Sequence, residues 1–196
     1  MNNQFSRIFV RGTGLALLAL LAGLPASAQQ PQIPTLQVCN LPGIVTGQAK
    51  VVISERADAT HSGSFTLDIR VECDPNTGYP VGTFIVGAIS MSDSAIQGAF
   101  KATTIDQITV TGKHTPTAYL NGRCAIEQPT ATAPQIKGCK YWLMVVNNKQ
   151  APTTATNNAG TPDIIGFLVL DNTGKRIAYG TGPVVSGDVN VSPTGN

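Results

Sequence analysis

Two histidines, His61 and His114, are the only side chains in this 196-residue chain whose ordinary pKa lets them exchange a proton near neutral pH. His61 stands among hydroxyls in Ala59-Thr60-His61-Ser62-Gly63-Ser64, and His114 stands in Lys113-His114-Thr115-Pro116, which reads as a turn. A serine hydrolase could be written from Ser62 or Ser64, His61 and an aspartate. Adjacency in sequence is not the geometry that nucleophilic catalysis requires, however. No G-x-S-x-G elbow occurs either. Both histidines are therefore expected in surface turns, and no catalytic residue is assigned.

The acids point the same way. Asp74-x-Asn76-x-Gly78 resembles the opening of a calcium loop, but the later carboxylates of such a loop are missing and the chain continues Tyr79-Pro80-Val81-Gly82. An Asx turn accounts for these residues without an ion, so no metal and no cofactor is expected. Glu55, Glu72 and Glu127 are the only glutamates and form no evident glycosidase pair. Tyr119, Tyr141, Trp142 and Tyr179 can be viewed as a sugar-stacking platform. Tyr141 and Trp142 lie inside the most apolar run, which predicts core packing for both. Tyr79, after Gly78, is the better exposed aromatic, and His61 and Tyr79 are the candidate ligand contacts.

Four cysteines allow three pairings. Spacing favours Cys39 with Cys73 and Cys124 with Cys139. In the chain-entropy model, loops of roughly 35 and 16 residues correspond to about 4 and about 3 kcal/mol. A redox pair would need C-x-x-C spacing, and a zinc site would need more neighbouring histidines or cysteines. Structural disulfides are the expectation.

Disulfides require an oxidising compartment, and the N-terminus supplies the address. Arg7 and Arg11 precede a short apolar run, Thr13 to Leu24, and Pro25-Ala26-Ser27-Ala28 ends in the small-x-small pattern of a secretory signal cleaved after Ala28. The run is about twelve residues, against roughly twenty for a spanning helix, so no membrane span is expected. The chain has 13 basic and 11 acidic residues, and removing Arg7 and Arg11 with the signal leaves 11 of each. A neutral mature chain gives no electrostatic reason to expect nucleic acid. The location implied is periplasmic or extracellular.

The elements that must carry these residues are strands. In Ser64 to Cys73 (SFTLDIRVEC), Phe65, Leu67, Ile69, Val71 and Cys73 alternate with polar residues, the pattern of a half-buried strand. Further strands are predicted at Ala49 to Glu55, Thr83 to Met91, Ile96 to Thr103, Ile105 to Thr111 and Thr117 to Ile126. Cys139 to Val146, Ile164 to Leu170, Arg176 to Tyr179 and Asp188 to Val191 complete the set. Tyr141 to Val146 and Ile164 to Leu170 are apolar on both faces, so both are predicted as central strands covered on both sides. Asp74 to Gly78 and Asp171-Asn172-Thr173-Gly174 are turns, and Lys149 to Thr161 is a polar loop. The fold class is all-β: an antiparallel β-sandwich of immunoglobulin-like or jelly-roll type, with a partly open barrel as the variant. The organisation is a signal peptide at 1–28, an extended leader at 29–37, one domain at 38–191 and a frayed tail at 192–196.

From Lys137 to Val191 the order KGCKYWLMVVNN, loop, DIIGFLVLDNTGKRIAYGTGPVVSGDVNV resembles the C-terminal strands of small secreted bacterial β-sandwich modules, most of them uncharacterised. That resemblance implies a fold and no active site. The signal, the N-terminal extension and the Cys39/Cys73 spacing also resemble fimbrial subunits of the chaperone–usher type. These assemble by strand addition. The penultimate tyrosine of such subunits is absent, and the prolines in Gln29 to Leu36 would interrupt a donor strand. The function expected is a secreted, non-enzymatic structural or interaction protein of the bacterial periplasm or cell surface, with an envelope or self-association partner. The alternatives are a fimbrial subunit and a periplasmic hydrolase.

Overall fold

The alternation of Phe65, Leu67, Ile69 and Val71 becomes a strand whose odd-numbered side chains are buried and whose Asp68, Arg70 and Glu72 are exposed. The computed structural model describes residues 39, 41–53, 62–127, 136, 138–148 and 161–194. The segments expected as signal (1–28) and leader (29–37) and His61 lie outside the described residues, as do residues 149–160 of the segment expected as a polar loop. The described strands are β1 (Gly43–Ile53), β2 (Gly63–Cys73), β3 (Pro80–Met91), β4 (Gly98–Ala102) and β5 (Gln107–Thr111). They continue with β6 (Thr117–Glu127), β7 (Cys139–Val146), β8 (Ile164–Asp171) and β9 (Arg176–Pro193).

All strand pairings are antiparallel and join neighbours in the order β4-β3-β2-β1-β9-β8-β7-β6-β5, and β4 also pairs with β6. That last pairing closes the ring. β4 and β5 lie end to end along one edge of β6, β4 against Cys124 to Glu127 and β5 against Thr117 to Asn121. They therefore share one place, and the ring is an eight-stranded up-and-down barrel. The expected sandwich, and its partly open variant, are overturned by this closure. A sandwich needs two sheets facing each other, whereas here one sheet curls until its first and last members pair.

β9 shows how the closure works. The segments Arg176 to Tyr179 and Asp188 to Val191, expected as separate strands, are two ends of one 18-residue strand. Its first half pairs with β8 and its second half with β1. A register shift opposite Lys50/Val51 bends it between the two. Gly187, next to the shift, has φ +85°, and a Cβ there would run into the Gln48 carbonyl. The pairing extends to Pro193, and the Thr194 N–H donates to the Pro42 carbonyl at 2.8 Å.

The interior is filled. Phe65 of β2 and Phe167 of β8 do not share a pairing, yet their rings meet edge to face at 4.8 Å across the barrel. Phe84 and Tyr141 meet likewise at 4.7 Å, and Phe100 packs between them and Phe167. An eight-stranded barrel is just wide enough for side chains to fill it. The Tyr141 hydroxyl, within this core, donates to the Thr104 carbonyl at 3.0 Å. Apolar side chains point inward while Asp68, Arg70, Arg123 and Lys140 point outward. Lipid-embedded barrels have the reverse polarity. Among the described residues no helix is long and apolar enough to cross a membrane.

Both disulfides form as spaced. Cys124–Cys139 joins directly opposed positions of β6 and β7. Cys39–Cys73 ties the segment before β1 to the end of β2. Cys39 bridges Ile108, and the Val110 N–H donates to the Leu41 carbonyl at 3.1 Å, so this segment lies along the outer edge of β5. The two bridges fit an oxidising, secreted environment.

Candidate functional site

A packed interior leaves the outer wall and the two rims to meet other molecules. Side chains on the outer wall are set by strand parity. In β7, Cys139, Tyr141, Leu143 and Val145 are buried, so Lys140, Trp142 and Met144 face outward. The pairing places them in rungs. One rung runs Asn121, Trp142, Leu168, Tyr179 from β6 to β9, and the next runs Tyr119, Met144, Gly166, Thr181.

These rungs form a groove of about 260 Å³, walled by Tyr119, Trp142, Leu168 and Thr181. Tyr119 is 50% and Trp142 44% exposed. Gly166 makes the floor. A Cβ there would come within 2.7 Å of Thr181 Oγ1 and 3.4 Å of Met144 Cε, so any larger residue would raise the floor or push the walls apart. Asn121 Nδ2 donates to Gln107 Oε1 at 3.1 Å, which fixes that amide at the groove edge. Exposed aromatic rings with an amide and a hydroxyl beside them suit a ligand with flat, weakly polar faces.

The expectation that both faces of β7 and β8 would be covered is overturned. In a closed barrel only one face of each strand has an inside, so the second apolar face of these strands is left to solvent. Tyr141 is buried as predicted, but Trp142 is not a core residue. A signal for this lay in the sequence. Cys139 and Trp142 are an odd number of residues apart in one strand, so a buried cysteine sends the indole to the opposite face.

The rung beyond Trp142 is cationic. Arg123 pairs directly with Lys140, Lys140 with Leu170, and Leu170 with Arg176. All three cations are exposed. The Arg176 guanidinium lies over the Tyr179 ring, 4.2 Å from its centroid, which anchors it at the edge of the aromatic rung.

The other predicted sites stand elsewhere. His114 occupies the exposed β5–β6 turn, and Tyr79, 51% exposed, lies in the β2–β3 turn. Both turns are at the rim opposite the cationic rung, so neither residue joins the groove. The Asp74 carboxylate is used by its own turn: Oδ1 accepts from the Asn76 N–H at 2.9 Å and Oδ2 from the Thr77 hydroxyl at 2.9 Å. The hydrogen bond from the Asn76 backbone, followed by that from Thr77, holds the Asp74 carboxyl below the usual range. Among the described residues no group of three or more His, Cys, Asp or Glu is placed to hold a metal. A larger depression of about 710 Å³ lies across β1 and β2, lined by Gln48, Asp68, Arg70, Glu72 and Asp188. It carries charges of both signs and no aromatic ring, and Gln48 already donates to Asp68 at 3.0 Å.

Fold and site together define a filled up-and-down barrel with an aromatic groove on its outer wall. Comparison with protein-family models, with curated proteins and with solved structures found no match.

Proposed function

We propose that this chain is a secreted, non-enzymatic binding protein of the bacterial periplasm or cell surface, delivered by a signal cleaved after Ala28, and that it engages its partner through the β6–β9 outer wall. The observation that carries this reading is the pair of exposed rings, Tyr119 and Trp142, set on adjacent paired strands over a glycine floor. Rings on a disulfide-stapled sheet lose little freedom on binding, which is where exposed loops pay most. Strand addition, the fimbrial alternative, needs an open sheet edge, whereas the ring closes through β4 and β6 and the Cys39 to Leu41 contacts lie along the outer edge of β5. The hydrolase alternative gains nothing from His114 on its exposed turn.

Trp142 is the only tryptophan, so its emission reports on the groove directly. Titration of the mature protein with oligosaccharides, polysaccharides and peptides of the cell envelope should give a saturable change in Trp142 emission. Tyr119→Ala should abolish it while leaving the melting temperature within a few degrees. A protein whose emission responds to none of these, or responds equally after Tyr119→Ala, does not bind through this wall.

A further inference from the structure

We infer that the ligand of the β6–β9 wall is an anionic polysaccharide whose sugar rings lie on Trp142 and Tyr119 and whose carboxylates meet the Arg123–Lys140–Arg176 rung. The inference rests on the outer-wall reading and adds the ligand's chemistry. Its starting point is a local cost. Arg123 and Lys140 are directly opposed across β6 and β7, and like charges in that position destabilise a sheet. No described acid forms a salt bridge with either. Among the described residues no ion pair offsets that cost, and an anion arriving from solvent would.

The three cations are set side by side on one rung, with Glu127 further along β6 and Asp171 at the end of β8 as the described acids of those strands. The mature chain balances 11 basic against 11 acidic residues, and Asp68, Glu72 and Asp188 lie across the barrel on the β1–β2 side. The cationic rung is thus a feature of this wall. Lys140 and Trp142 are two residues apart on one strand, about 7 Å, so a ligand lying on the indole reaches the cations without bending. Arg176, held over Tyr179, supplies a preset guanidinium that can take a carboxylate through two N–H donors.

Three features favour a polysaccharide over other polyanions. A protein partner of ordinary affinity covers about 800 Å² per side, far more than two rungs of one groove supply. An acidic peptide cannot add as a strand at the centre of this wall, because β6, β7 and β8 are each paired on both sides. A nucleic-acid binder draws its affinity from many Lys and Arg contacts to phosphates, about six to ten, and this rung supplies only Arg123, Lys140 and Arg176. A second copy meeting the same wall about a two-fold axis through the rung would set its cations against one another.

The test is calorimetric titration of the mature protein with four polymers at one ionic strength: polygalacturonate, neutral dextran, poly-L-glutamate and oligodeoxythymidine. Polygalacturonate should bind most tightly. Trp142→Ala, and separately the double change Arg123→Gln with Lys140→Gln, should each weaken it about tenfold or more. All these positions are exposed, and unchanged melting curves would show the variants folded. Equal or tighter binding of poly-L-glutamate or oligodeoxythymidine would overturn the inference. So would polygalacturonate binding that is indifferent to Trp142→Ala, which would be plain ion exchange. If dextran binds as well as polygalacturonate and the charge variant binds normally, the anionic assignment falls and the outer-wall reading stands. If no polymer binds and Trp142 emission responds to no envelope component, both fall.

Discussion

Gly180→Ala should strain the barrel interior in a way that one further methyl deletion relieves. Gly180 faces inward from β9, and a Cβ there would lie 3.2 Å from Ile53 Cδ1, 3.2 Å from Phe167 Cε1 and 3.3 Å from Phe65 Cε1. Ordinary carbon contacts are about 3.5–4.0 Å, so three side chains from β1, β2 and β8 must all yield by a few tenths of an ångström. Overpacking of this kind costs about 1–3 kcal/mol. Loss of the glycine's freedom in the unfolded chain returns about 0.4–1 kcal/mol. The net expectation is about 1–2 kcal/mol of destabilisation, a fall in melting temperature of about 2–8 °C for a chain of this size. Ile53→Val removes the Cδ1 methyl and alone costs about 0.5–1.5 kcal/mol. Combined, the two changes should cost less than their sum by at least about 0.5 kcal/mol, because the valine makes room for the alanine. Urea unfolding of the oxidised single and double variants measures the coupling. Strict additivity would refute the reasoning, since it would mean that a side chain at position 180 does not meet Ile53 in the barrel interior.

Other consequences follow from the same contacts. Replacing Cys124 and Cys139 together by serine should lower stability by about 3 kcal/mol in denaturant unfolding, since the bridge spans a sequence separation of 15. Tyr141→Phe removes the bond to the Thr104 carbonyl and should cost about 1 kcal/mol. Burial, with a smaller contribution from Asp106, raises the Tyr141 phenol well above its ordinary value. A native ultraviolet titration should accordingly leave Tyr141 un-ionised until the protein unfolds. Asp171 is held below its ordinary value of 3.8, first by the Thr173 hydroxyl and then by backbone N–H groups of its turn. Its ionised form therefore adds stability above that value, and the contribution is lost as pH falls through the depressed one. The melting-temperature gap between wild type and Asp171→Asn should narrow on acidification over that window. A gap independent of pH would mean that the carboxylate charge contributes nothing to the turn.

How much of this was legible depends on how local the information is. The alternation in Ser64 to Cys73 encodes β2 because each side chain's face is set by its own parity. Asp74 and Asp171 encode their turns because a short carboxylate bonds the backbone two residues on. The cysteine spacings encoded both bridges for a similar reason: each closes a short path between neighbouring strands or strand ends. The candidate groove was only half visible. Tyr119 and Trp142 could be named as stacking residues, but in a run apolar on both faces only the odd spacing of Cys139 and Trp142 hinted at which face is inside.

Closure settled that question. Whether β4 pairs with β6, and whether β9 runs unbroken from β8 to β1, are matters of contact between residues far apart in the chain, and no window of sequence contains them. A sandwich and a barrel can be built from the same strands and turns. What separates them is whether five aromatic rings from different walls fill one interior, as Phe65, Phe84, Phe100, Tyr141 and Phe167 do. Local residue chemistry made the strands and turns. The global packing of those rings turned Trp142 to the outside.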